Sequence, residues 1–193
     1  MMGIEVEDDL TRVAALPRAE TVERDRSLQT LLRDARLLLL ALWLGAAVFF
    51  GAVVAPNAFN VLRARGVPYA NEAAGSIVSR TVAVVNISGF LIALLLLASA
   101  ALFRKGRRKG AFIAEAVSLT IMAVATALGQ WVIAARMLAL RAAMGRPIDD
   151  VPGGDPLRAG FDSLHSFSVK ALGLAMIAAV VALLLIARRK SSY

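Results

Sequence analysis

The chain has no cysteine. Disulfides, thiolate metal sites and cysteine nucleophiles are therefore excluded, and the redox compartment is left open. There is one histidine, His165. One histidine cannot supply the paired axial ligands of a membrane b-type haem within a chain, and with scattered methionines it makes a poor copper site. No phosphate-binding loop, metalloprotease motif or Ser/His/Asp ordering occurs in the 193 residues. These absences argue against an enzyme and against a bound metal or cofactor.

What is abundant is apolar surface. A chain that is 59% hydrophobic cannot hide those side chains in one soluble core and still cover its outside with polar groups. The bilayer must be part of its solvent. Four apolar runs, at about residues 37–55, 81–103, 111–135 and 167–187, each approach the roughly 20 residues needed to cross a 30 Å hydrocarbon layer. The expected fold is all-α: a polytopic bundle of four transmembrane helices over residues 35–187. It is preceded by a charged tail, 1–34, and followed by a basic end, 188–193. The tail is too acidic and too long for the n-region of a signal peptide, so the first helix is expected to be retained.

The formal charge of +8 looks like a nucleic-acid signature until its placement is read. Arg104, Lys105, Arg107, Arg108 and Lys109 form one run and Arg188, Arg189 and Lys190 another, both bordering apolar segments. That pattern fits the positive-inside bias and anionic lipid, not nucleic acid. Fourteen of the 22 Lys and Arg lie in the tail, the tight 104–110 loop and the C-terminus. Both ends are therefore expected in the cytoplasm of a bacterial cell, with the protein in its inner membrane.

The two opposite connections are longer and rich in helix formers, and each closes on a glycine before a proline: Gly66-Val67-Pro68 and Gly145-Arg146-Pro147. The pattern predicts glycine C-caps and first and third helices that extend beyond the outer face. Gly51, Val54, Leu62, Arg63 and Ala64 recur at a constant offset as Gly129, Val132, Leu140, Arg141 and Ala142. Either chance among small and apolar residues or a duplicated helical hairpin accounts for this. Helices in lipid associate through small residues and interhelical hydrogen bonds. Candidate faces are Ala47, Gly51 and Ala55; Gly89 and Ala93; Ala125 and Gly129; and Ala171, Ala175 and Ala179.

Few residues could carry chemistry. Glu115 is the one acid well inside a span, which makes it either a functional intramembrane charge or a shallow partner for Arg107, Arg108 or Arg188. Asn86, Ser88 and Gln130 could join helices or line a polar pocket, with Arg80, Arg136 and Lys170 about its mouth. Asp155 and Pro156 fit a cap and first helical position. After them Phe161, His165 and Ser168 share one helical face, with Asp162 in reach of His165. Asp149, Asp150 and Asp155 could gather a divalent cation, although such a Pro- and Gly-rich turn is ordinarily a solvated loop.

Several short motifs are familiar together: Trp43-Leu44-Gly45, Ala55-Pro56 with Phe59, Ala74-Gly75 with Arg80, and Phe161, Leu164-His165 and Ser168. Over residues 35–187 the chain resembles the four-helix membrane family catalogued as domain of unknown function 4149. That family is itself similar to a eukaryotic transmembrane protein linked to platinum-drug tolerance. The resemblance implies the four-helix fold and marks Pro56, Arg80, Phe161, His165 and Ser168 for testing. It implies no reaction. An aromatic commonly follows the arginine of the Ala-Gly segment in that family, and here Thr81 stands there.

Two functions compete. In one, the outer helix ends around Pro56, Arg80, Gln130 and His165 bind or transport a small solute or lipid headgroup, with Pro56 kinking the first helix to open space. In the other, the protein is a non-catalytic accessory subunit docking onto a membrane-protein partner. A membrane enzyme built on His165 and Asp162 is least supported, because converging acid, base and anion-binding groups are too few.

Overall fold

The computed structural model describes residues 4–102 and 109–188. The basic residues Arg104, Lys105, Arg107, Arg108, Arg189 and Lys190 lie outside the described residues. Among the described residues six α-helices follow one another: α1 (Ile4–Phe49), α2 (Ala55–Ala64), α3 (Ala70–Leu102), α4 (Lys109–Ala127), α5 (Ala134–Met144) and α6 (Pro156–Ala187). Two π-helical turns, Phe50–Val54 and Leu128–Ile133, join α1 to α2 and α4 to α5 without ending the helix. No strand occurs among the described residues.

The chain divides into two compact units. Residues up to Leu38 form one, helical from Ile4. The other, from Leu39 on, carries most of the apolar helix.

Among the described residues four stretches are long and apolar enough to cross a membrane: Ser27–Ala64, Ala70–Leu102, Lys109–Met144 and Pro156–Ala187. With 32 residues in the shortest, each reaches about 48 Å or more at 1.5 Å per residue, well beyond a hydrocarbon layer of about 30 Å. The second and fourth begin before the apolar runs do, at Ala70 and Pro156, because capped polar turns carry the helix further than hydropathy marks it.

The helix ends follow from local chemistry. Gly66 and Gly145 both have φ of 64°, the left-handed conformation that costs a residue without Cβ nothing. At the first, the Gly66 N–H bonds the Arg63 carbonyl at 3.0 Å and the Val67 N–H bonds that of Leu62 at 3.1 Å, a Schellman closure. Asp155 starts α6: its carboxylate accepts from the N–H groups of Leu157 and Arg158 at 2.8 and 3.4 Å, and Pro156 fills the first turn, where no donor is needed.

Alanines supply about half of the buried apolar residues, with Leu40, Leu96, Leu119, Met122 and Ile186 beside them. Ala47, Ala93, Ala175 and Ala179 are fully buried, and Gly89 and Gly129 are buried with them, so backbones approach closely and dispersion holds the helices together. One close approach is specific. The Trp43 indole lies over Gly89, where an added Cβ would stand 2.7 Å from its ring, and its Nε1 donates to the Val85 carbonyl at 2.9 Å. The small-residue stripe of the first helix is not uniform, however. Gly51 is exposed, with nothing within 4 Å of the place its Cβ would occupy.

In the body, α4 packs against α3 and α6, α2 against α3, and α5 against α6. Neither α2 nor the turn Phe50–Val54 packs extensively on α5 or α6. A gap therefore opens between the first helix and the last at this level of the bundle.

Candidate functional site

The gap begins with Pro56. Proline has no N–H, and its ring collides with the carbonyl four residues back. The helix absorbs this by widening over Phe50–Val54, so that the Ala55 N–H bonds the Phe50 carbonyl, five residues back. Asn57 adds a side-chain donor, its Nδ2 lying 2.8 Å from the Val53 carbonyl. The Gly51 carbonyl has thus lost Ala55 as its α-helical donor, and the Ala52 carbonyl faces a proline in that position.

The second π turn has no proline. Within it the Ala134 N–H bonds the Gly129 carbonyl, which deprives the Gln130 carbonyl of its ordinary partner. Tertiary packing accompanies this widening: Asn86, 3% exposed on α3, places its Nδ2 where a Cβ on Gly129 would come within 3.1 Å. The two turns occupy matching places in the offset noted between the hairpins, Gly51 corresponding to Gly129.

Between them lies a cavity of about 790 Å³, within the range that holds a drug-sized ligand. The first π turn, Pro56 and Phe59 form one wall. Ser79, Val82 and Ala83 of α3 form the floor with Gly129 and Gln130, and α5 and α6 close the rest. Val48 and Val169, 48% and 59% exposed, also line it and sit in the apolar runs, so exposed apolar side chains flank its mouth.

Of the residues singled out from sequence, Pro56, Gln130, Phe161, His165 and Ser168 all line this cavity. Arg80, Asn86 and Asp162 do not. Arg80 is exposed on α3, and Asn86 is buried behind Gly129. Asp162 faces Arg158, one helical turn back, at 3.9 Å. Glu115 lies elsewhere, on α4, 1% exposed beside buried Ser118 and Leu119 and engaged in an interaction of its own.

The residue that sequence reasoning passed over is Arg141. It lines the cavity and pairs with Glu72 at 2.5 Å, while its Nη2 also donates to the Glu72 carbonyl at 3.2 Å. Its guanidinium stands 6.0 Å from the centre of the Phe161 ring, at the outer limit of a cation–π contact. Gly75 permits the approach, for a Cβ there would meet the guanidinium at 3.3 Å. One available signal was that Glu72 is the sole acid in the first long connection.

Beyond Arg141 the long connections are tied to the helices. Glu72 accepts from the Ile148 N–H at 3.1 Å. Asp149 caps α3, accepting from the N–H of Asn71 at 3.3 Å, its Nδ2 at 2.7 Å and the N–H of Glu72 at 3.0 Å. Partial burial acts to raise the Asp149 carboxyl, but these donors outweigh it and hold the group below its ordinary value. Arg158 reaches back to the carbonyls of Ile148 and Val151 at 2.6 and 2.8 Å. Asp149 and Asp155 are thus both engaged as helix caps, and no group of three metal-ligating side chains occurs among the described residues.

Two polar atoms at the cavity residues are enclosed without a hydrogen-bond partner: Gln130 Oε1, an acceptor, and Arg141 Nε, a donor. Orphaned groups of this kind cost free energy unless something meets them.

Four long apolar helices around an alanine-rich core, among the described residues, define an integral membrane protein of the four-helix type. The chain belongs to the family described as Domain of unknown function (DUF4149), whose model matches residues 38–146, more than half of its length. The match takes in Trp43, Pro56, Arg80, Gln130 and Arg141 and stops short of the Phe161 to Ser168 segment. Neither a curated protein nor a solved structure matches the chain.

Proposed function

We propose that this protein is a non-catalytic binding or transport protein that takes a small solute or lipid headgroup into the cavity between its first and last helices. The observation that carries the reading is the cavity of about 790 Å³ itself, largely apolar and lined by a few polar side chains, Ser79, Gln130, Arg141, His165 and Ser168. An apolar space with a few placed polar groups is the usual form of a ligand site. In this reading the cavity lies toward the outer face, both termini are cytoplasmic in a bacterial inner membrane, and α2 and α5 project past the bilayer surface.

Native mass spectrometry of the full chain in mild detergent tests it. A reproducible small-molecule or lipid adduct is expected, lost on Ser168→Trp, which places bulk in the cavity, and weakened on His165→Ala. A bare chain that binds nothing would overturn the site. A stoichiometric protein partner, with the adduct absent, would replace this function by that of an accessory subunit.

A further inference from the structure

The cavity is elongated along the helices. Its lining on α6 runs from Phe161 to Met176, on the first helix from Ala47 to Phe59, and on the third from Gly129 to Arg141. At 1.5 Å per residue these stretches are about 18 to 22 Å long. Half of a 30 Å hydrocarbon layer, the depth that the chains of one leaflet fill, is about 15 Å. The slot therefore has the length of one lipid chain with a short polar end.

The lining changes character along that length. Arg141 pairs with Glu72 and stands 6.0 Å from the centre of the Phe161 ring, so these three residues mark one end. His165 follows Phe161 by one turn, and Ser168 and Ser79 lie seven residues further along α6 and α3 than Phe161 and Glu72. Beyond Ser168, α6 contributes only Val169, Leu172 and Met176, and the first helix contributes no polar side chain. Gln130 is the one polar side chain among the deeper residues, and its Oε1 is enclosed. A ligand thus gains packing contacts along the deep part and keeps a polar head only at the Arg141 end. The adaptable thioethers of Met137 and Met176 suit a flexible chain. A compact polar solute would leave the apolar length empty, and a two-chain phospholipid exceeds the drug-sized molecules that about 790 Å³ holds. One chain with one head satisfies both limits.

Resting on the binding function above, we infer that the ligand is a single-chain amphiphile, a fatty acid or a lysophospholipid. Its acyl chain lies between the first and last helices with its end near Leu172 and Met176, and its head stays at the end marked by His165 and Arg141. The two sources share the chain, which is the part the cavity recognises.

The test places the full chain in phosphatidylcholine nanodiscs with palmitic acid or palmitoyl-lysophosphatidylcholine carrying a diazirine at the chain end, and maps the crosslinked residues after illumination. Saturable labelling of Leu172 and Met176 is expected, reduced at least about fivefold by excess unlabelled palmitic acid or lysophosphatidylcholine. Leu174 and Ile177 share their depth on α6 but are exposed and outside the lining, so their labelling should rise in proportion to the probe. Labelling by one probe alone identifies the fatty acid or the lysophospholipid as the source, and labelling by both makes the chain sufficient. Ser168→Trp and Ala52→Trp, which add bulk on opposite walls, should each remove the saturable part and leave Leu174 and Ile177 unchanged, with thermal melting confirming that both variants are folded. No saturable labelling at Leu172 and Met176, or labelling that survives both variants, would overturn the single-chain assignment; the mass-spectrometric adduct above reports separately whether the cavity holds a different ligand. Equal saturable labelling by a two-chain phosphatidylcholine with the same diazirine would also overturn it, while leaving the cavity a lipid site.

Discussion

The two hairpins, α1 to α3 and α4 to α6, contain the same backbone deviation for different reasons. In the first, the π turn is imposed from within the helix by Pro56 and would persist whatever lay beside it. In the second no residue of the turn forbids an α-helix; the widening goes with a glycine that lets the Asn86 side chain of a neighbouring helix press against the backbone. One deviation is covalent in origin and the other is tertiary. They therefore respond differently to substitution.

The largest expected effect concerns a contact only the first hairpin has. Gly89→Ala would place a Cβ 2.7 Å from the Trp43 ring and threaten the indole's bond to Val85. An overpacked buried site costs about 1–3 kcal/mol, so a clearly lower melting temperature in detergent is expected, and an unchanged one would show that the helices separate freely there.

Next come the matched arginines. Arg141→Ala leaves Glu72 and its tie to Ile148 without a cation, a loss of roughly 1.5–3 kcal/mol for a hydrogen bond to a charged group. Arg63→Ala removes only exposed contacts to Phe59 and Asn60 on its own helix and should cost under about 0.5 kcal/mol. Equal melting shifts for the two would contradict the distinct roles of these offset-matched positions.

The matched glycines should differ in sign. Gly51→Ala meets open space and gains helix propensity, worth up to about 1 kcal/mol. Gly129→Ala meets the Asn86 amide at 3.1 Å and should lose stability, or else relax the second π turn as the amide moves away. Melting curves of the two variants decide it, and parallel stabilisation would mean the second turn is as locally determined as the first.

The smallest effect lies in the long connections. The Asp149 carboxyl is held below its ordinary value, so its contribution is complete above the unfolded value near 3.9 and is lost as pH falls through the lower folded one. Hydrogen exchange at the Asn71 and Glu72 amides should quicken as the solution is acidified below about pH 4, beyond the intrinsic pH trend. Asp149→Asn should remove that extra step.

Much of the architecture was legible because it rests on local chemistry. Apolar runs longer than a bilayer is thick mark the helices, Gly66 and Gly145 close two of them, and Asp155-Pro156 opens the last. The cavity was legible in part: the Phe161, His165 and Ser168 face and Pro56 were all visible as patterns. Arg141 was not, since its meaning depends on Glu72, 69 residues away. Asp149 likewise reads as part of a solvated acidic turn until α3, 77 residues distant at Glu72, is seen to start beneath it. Asp162 lies within reach of His165 by spacing, and the structure sets Arg158, on the same helix, 3.9 Å from its carboxylate.

Sequence by itself determined that this chain lives in a membrane as four long helices, and where most of those helices begin or stop, because hydropathy, glycine and proline act within a few residues. Tertiary structure decided which faces meet, how the second helix break is seated against Asn86, and that a cavity lined by Gln130, Arg141 and His165 lies between the first helix and the last. Spans that are apolar all round carry little information about their own rotation. Only the fit of alanine and glycine against a neighbour, with a few buried polar groups, fixes it.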